Sequence, residues 1–73
     1  MQNNTVVIKV SQGTNDCFVI SAQDETGGMM RYFFEKKYGT PKAGDKITLY
    51  HPNARGSKIV GMDLNGSRLF LHA

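Results

Sequence analysis

The residues whose types and spacing could do chemistry in this chain are rings and cations. Tyr32, Tyr50 and Phe70 fall on strand-like stretches, with Arg31, Lys58 and Arg68 close by in sequence. Phe34 belongs to the same set, and Lys9, Lys36, Lys46 and Arg55 add further cations around it. Rings that stack on bases, interleaved with cations that meet backbone phosphate, are how small β-barrels hold single-stranded nucleic acid. Strand side chains alternate between two faces. The neighbours Phe33, Leu49, Leu69 and Leu71 are the better core formers, which places Tyr32, Phe34, Tyr50 and Phe70 on the opposite face. The competing reading puts the same rings inside, because a 73-residue chain without Trp has few large side chains to fill a core.

Other chemistries find less support. His51, His72 and Cys17 are scattered and lack the paired spacing of metal ligands. Nothing in the sequence sets a base beside Cys17. Asp24-Glu25 lie in a turn, and Asp63 stands beside the Asn65-Gly66 turn rather than in a carboxylate pair. Gly27-Gly28 and Gly56-Ser57 are turn glycines, not a phosphate loop. The expectation is a binding module that is not an enzyme, with no catalytic residue, metal or cofactor.

Charge sharpens the choice of partner. The net charge is +3, but residues 1–30 hold one lysine against three acids, net −2, whereas residues 31–73 hold eight Lys/Arg against three acids, net +5. An excess confined to one part of a chain suits a polyanion; lysines that guard strand edges are the alternative. A lone cysteine fits a reducing compartment. The polar start MQNN predicts no secretory signal, and no apolar run reaches membrane length. A soluble, cytoplasmic single domain over residues 1–73 is expected, its core small for want of length.

These residues need strands to position them. TVVIKVS (5–11) alternates, with Val6, Ile8 and Val10 on one face. CFVISAQ (17–23) directs Phe18, Ile20 and Ala22 to the core. MMRYFFEK (29–36) is a third strand rather than a helix, since Gly27-Gly28 starts a helix poorly and Tyr32-Phe33-Phe34 is β-prone. A helical turn is expected at residues 35–38, ended by Gly39. KITLYH (46–51) turns Ile47 and Leu49 inward. A loop over residues 52–56 leads to a fifth strand reaching Leu64, with Val60, Met62 and Leu64 on one face. Gly61 inside it suggests a bulge or a close backbone approach. Residues 68–72 form the last strand, Leu69 and Leu71 on one face and Arg68, Phe70 and His72 on the other. Asn65-Gly66 between apolar runs is the strongest short hairpin signal. The pattern predicts an all-β fold, a five- to six-stranded barrel of OB-like or SH3-like type with a C-terminal hairpin.

Two resemblances bear on this. Residues 15–28 and 44–49, with a GDKI start to the fourth strand, resemble the single-domain OB barrels of the ribosomal S1 and bacterial translation initiation factor 1 type; MDLNG at 62–66 departs from that family's shorter basic hairpin. Residues 41–70 are similar to a segment of uncharacterised small phage-associated and bacterial proteins, which implies a fold and a setting but no residue roles. The sequence thus offers two functions: a barrel binding single-stranded nucleic acid or RNA, or a module docking on a host or phage protein. The second draws on the two-sided apolar strands and on Met29, Met30 and Met62 as adaptable contacts.

Overall fold

A computed structural model of the protein describes residues 1–52 and 58–72. It is all-β. Strands β1 (Gln2–Gln12), β2 (Cys17–Asp24), β3 (Met29–Glu35), β4 (Lys46–Tyr50), β5 (Gly61–Leu64) and β6 (Ser67–Leu71) form one antiparallel sheet in the order β3-β2-β1-β4-β5-β6. The long β1 organises it: its later residues pair with β2, from Thr5↔Asp24 to Gln12↔Phe18, and its earlier ones with β4, from Gln2↔Tyr50 to Val6↔Lys46. A single 3-10 turn, Lys36–Tyr38, follows β3 and ends at Gly39, as the sequence predicts. Among the described residues no helix is long and apolar enough to cross a membrane. The expected loop tip at residues 53–56, Arg55 included, and Ser57 lie outside the described residues, and the fifth strand, expected from Ser57 or Lys58, begins only at Gly61.

Turn chemistry fixes the connections. Asn65 and Gly66 have φ of 50° and 85°, the two positive values that a type I′ turn requires. Asn65 also ties this hairpin to β4: its side-chain oxygen accepts from the Lys46 N–H (2.9 Å), and its own N–H donates to the Lys46 carbonyl (2.7 Å). In the β2–β3 turn the Asp24 carboxylate accepts from the Thr26 hydroxyl (2.7 Å) and from the N–H groups of Thr26 and Gly28. The Thr26 hydroxyl leads these bonds in holding Asp24 below the usual carboxylate range. Gly61 marks a close approach, since a Cβ there would meet the Leu71 side chain and, at 3.2 Å, Tyr50 Cβ.

The core is formed by Val7, Ile20, Ala22, Tyr32, Phe34, Ile47, Leu49 and Met62, with Thr5 and Pro41 also buried and Phe18, Leu69 and Phe70 packed against the cluster. Phe18, Ile20, Ala22, Ile47, Leu49 and Met62 face inward as the alternation predicts. Three phases differ. In β1 the inward residues are Thr5 and Val7, while Val6 and Ile8 are exposed; the register slips between Val7 and Lys9, so Ile8 is an unpaired bulge residue and Val10 returns to the inner side. In β3 the expected face is inverted: Tyr32 and Phe34 are buried, and Phe33 is 62% exposed. Arg31 and Glu35 share the Phe33 face, and burying two charges costs far more than exposing one ring. In β6 the register slips between Met62 and Asp63 at the β5 pairing, so Phe70 pairs with Met62 and packs inward while Leu71 is exposed.

Closure is the remaining difference. Among the described residues no ladder joins β3 to β6, and the sheet keeps two free edges. It curls enough for Tyr32, Phe34, Met62 and Phe70 to share one core, but it is an open six-stranded sheet rather than a closed barrel.

Candidate nucleic-acid interface

Tyr32 is held inside. Thr5 Oγ1 donates to the Ile47 carbonyl (2.8 Å), so the one hydrogen of that hydroxyl is used, and Tyr32 is the donor in the 3.0 Å contact between Tyr32 Oη and Thr5 Oγ1. Burial pushes the Tyr32 phenol up from its ordinary value. A ring fixed by the core on one side and by this chain of bonds at its tip cannot offer a face to a base, so Tyr32 leaves the set of stacking rings.

Tyr50 and Arg68 do come together, but with an acid between them. Thr48 pairs with Asp63 across β4 and β5, and Asp63 with Arg68 across β5 and β6; Tyr50, two residues along β4 from Thr48, shares its face, so Tyr50, Asp63 and Arg68 meet on the outer face. Tyr50 donates to Asp63 Oδ2 at 2.6 Å, Arg68 Nε meets Asp63 Oδ1 at 2.5 Å, and the guanidinium carbon lies 5.0 Å from the Tyr50 ring centroid. Bonds from Tyr50 and then Arg68 hold the Asp63 carboxyl below the usual range; the same acceptor pushes the Tyr50 phenol up. The cation covers one face of the ring and is itself neutralised.

Phe70 belongs to a different cluster. Its ring stacks on Tyr38 (centroids 5.3 Å apart, 21° between planes), Phe34 meets Tyr38 edge-on, and His72 tilts against Phe70 at 5.3 Å. Lys37 Nζ lies 5.2 Å from the Tyr38 centroid. Strand alternation could not find Tyr38, which sits in the 3-10 turn; its place beside Lys36-Lys37 was the one available signal. Lys58 is exposed in the connection to β5, where its carbonyl contacts the His51 ring (2.9 Å).

Arg31 is the expected site residue whose new neighbours matter most. On the outer face of β1–β3, Lys9, Ser21 and Arg31 form one cross-strand row, and Ser11, Val19 and Phe33 form the next. Both cations and the Phe33 ring are exposed, and neither row holds a carboxylate. Along β3, Glu35 follows in the row of Cys17. The bulge adds Ile8 to the solvent side, beside the Val6-Gln23-Met29 row. Beyond the edge of β3 runs a groove of about 400 Å³, lined by Arg31, Tyr32, Phe33 and Glu35 on one side and by Ile59, Met62 and Phe70 on the other. No group of three or more possible metal ligands occurs among the described residues. No family model, curated protein or solved structure matches the chain significantly.

Proposed function

We propose that the protein is a non-enzymatic, OB-like module that holds single-stranded nucleic acid weakly on the outer face of β1–β3. The observation that carries this reading is the row of Lys9 and Arg31 beside the exposed Phe33, free of any carboxylate. Cations on the backbone phosphates and a ring under a base are the two contacts that sequence-tolerant binding needs. The β1–β2–β3 meander, with β1 also paired to β4, supports the OB-like reading. That fold is a partly open barrel which binds oligonucleotides on its β2–β3 face. The working residues are then Lys9, Arg31 and Phe33, with Phe70 and Lys58 outlying and Tyr32, Tyr50 and Arg68 engaged elsewhere.

The test is fluorescence anisotropy with a labelled mixed-sequence oligonucleotide over a salt series. Lys9→Ala and Arg31→Ala should each weaken binding to every sequence and lower the salt slope by about one. Phe33→Ala should cost about 1–3 kcal/mol and leave that slope unchanged. Absence of binding by the parent at low salt up to roughly 100 µM protein, the weak end of non-specific affinity, overturns the reading. A second reading, docking on another protein of host or phage, is favoured by Val6, Ile8, Met29 and Phe33, which are 42–62% exposed on this same face. It takes precedence if the oligonucleotide does not bind.

A further inference from the structure

Among the described residues no strand pairs with the edge of β3 that faces away from β2, and the backbone phase of that edge follows from the β2–β3 ladder. Asp24 N–H donates to the Gly28 carbonyl (2.9 Å) and Lys36 N–H to the Asp16 carbonyl (2.8 Å), one bond at each end of the β2–β3 ladder. The register between them is uninterrupted. Antiparallel pairs alternate between hydrogen-bonded and non-hydrogen-bonded, so Ala22/Met30, Ile20/Tyr32 and Phe18/Phe34 are the bonded pairs. Met29, Arg31, Phe33 and Glu35 therefore turn their N–H and C=O groups away from β2. Three of these four residues line the groove beyond the edge, and the side chains of all four are exposed.

Sheet edges are commonly blunted by proline, lysine or a bulge. β3 has no proline, lysine or bulge over its seven residues, and its two charges, Arg31 and Glu35, are of opposite sign. The opposite edge strand, β6, is interrupted by the slip at its β5 pairing.

We propose that β3 pairs antiparallel with β3 of a second copy of this chain, about a two-fold axis through Phe33. This interaction does not need the nucleic-acid reading, but it draws on two of the same residues, Arg31 and Phe33, so the dimer and an oligonucleotide compete for them. Self-pairing centred on Phe33 sets Phe33 opposite Phe33 of the partner subunit and Arg31 opposite Glu35 of the partner subunit, twice by symmetry. It is also the arrangement in which the outward-turned backbone groups meet as hydrogen-bonded pairs. Sliding the register by two residues keeps the backbone phase but sets Arg31 opposite Phe33 or opposite a residue of the following turn, and both ion pairs are lost. Opposite charges facing across strands favour a pairing and like charges oppose it. Glu35 is available for this role, since its contact with Lys37 is 3.9 Å long with both side chains largely in solvent. A two-fold pairing uses the same patch on both copies and closes as a dimer, leaving no β3 edge for further addition.

Sedimentation equilibrium without nucleic acid tests this, over a range of protein concentrations. The parent should show a reversible monomer–dimer equilibrium. R31E and E35R should each weaken dimerisation roughly tenfold or more, since each replaces two attractive pairs by two repulsive ones. An equimolar mixture of R31E and E35R should restore the dimer, because every pair between unlike copies is then attractive; the double variant R31E/E35R should restore it alone. Both single variants carry the change on an exposed position, and a melting curve near the parent's shows that the fold persists. A parent that stays monomeric at every concentration overturns the proposal. So do single variants that dimerise like the parent, or a mixture that fails to recover.

Discussion

The outer faces of the two halves of the sheet hold the same residue types and leave them in opposite states. On β4–β6, Tyr50 and Arg68 have Asp63 between them, so hydroxyl, guanidinium and carboxylate satisfy one another. On β1–β3, Phe33 stands beside Lys9 and Arg31 with no acid in either row, so no carboxylate neutralises the cations across the strands. The difference lies in one register position, since Asp63 faces Arg68 across β5 and β6 whereas Ser21 separates Lys9 from Arg31. Aromatic and basic composition does not by itself make a polyanion site. What occupies the facing position decides whether a cation works inside the molecule or outside it.

The largest expected effect concerns two adjacent phenylalanines. Phe34 is fully buried and Phe33 is 62% exposed. Phe34→Ala should destabilise the protein by about 3–5 kcal/mol, the range for a buried ring truncated to a methyl. Phe33→Ala, measured at a concentration where the chain is monomeric, should lie within about 0.5 kcal/mol of the parent, as surface substitutions do. Chemical denaturation of the two variants measures this. Equal losses would erase the distinction between the inner and outer faces of β3, and with it the open face of the comparison.

The next effect separates the two arginines. Arg31→Ala should weaken oligonucleotide binding and lower the salt slope by about one, as a lost phosphate contact does. Arg68→Ala should leave both unchanged, because the guanidinium is already spent on Asp63 and Tyr50. A matching loss in Arg68→Ala would put the interface on both halves of the sheet.

How far the sequence reveals this follows from particular residues. The Asn65-Gly66 hairpin was legible because a type I′ turn asks for those residues by name, and β4 because its apolar residues alternate cleanly; in β2, where Cys17 and Val19 make the second face nearly as apolar, Ser21 and Gln23 carried the phase. β1 was not, because the bulge at Ile8 changes the phase in mid-strand and no residue type announces it. β3 misleads through its run of three aromatics, where hydrophobicity ranks Phe33 above Tyr32; the charges Arg31 and Glu35 carried the right phase. At the site, Arg31 was legible as a cation, but Lys9 and Phe33 join it only through strand pairing, and Asp63 removes Tyr50 and Arg68 only once β4, β5 and β6 lie side by side. Tyr32 depends on Thr5, a polar residue upstream whose side chain reaches the core.

Tyr32→Phe isolates that dependence. The ring stays and one hydrogen bond goes, while Thr5 Oγ1 keeps its bond to the Ile47 carbonyl. A loss of about 0.5–1.5 kcal/mol is expected, the net contribution of a neutral hydrogen bond. Unchanged stability in denaturant would mean that the phenol finds water as readily as it finds Thr5.

The smallest effect tests the closed half of the comparison by pH. The Tyr50 hydroxyl and Arg68 hold the Asp63 carboxyl below its usual range, so its folded-state pKa lies under the unfolded value of about 3.9. A depressed carboxylate pKa contributes stability that is fully present above the unfolded pKa and is lost as pH falls through the folded one. Asp63→Asn keeps the shape and cannot titrate. It should therefore be less stable than the parent near neutral pH, and the two melting temperatures should converge as acid protonates Asp63. Asp24 and Asp45 are lowered by the Thr26 hydroxyl and by the Lys42 N–H respectively, and they titrate in the same window in both proteins. The variant should thus keep an acid limb, only a shallower one. Arg68 is half exposed, so added salt should narrow the gap at neutral pH. Parallel melting curves across the acid range would show that Asp63 spends nothing on Arg68, and that the β4–β6 cation is as free as those of β1–β3.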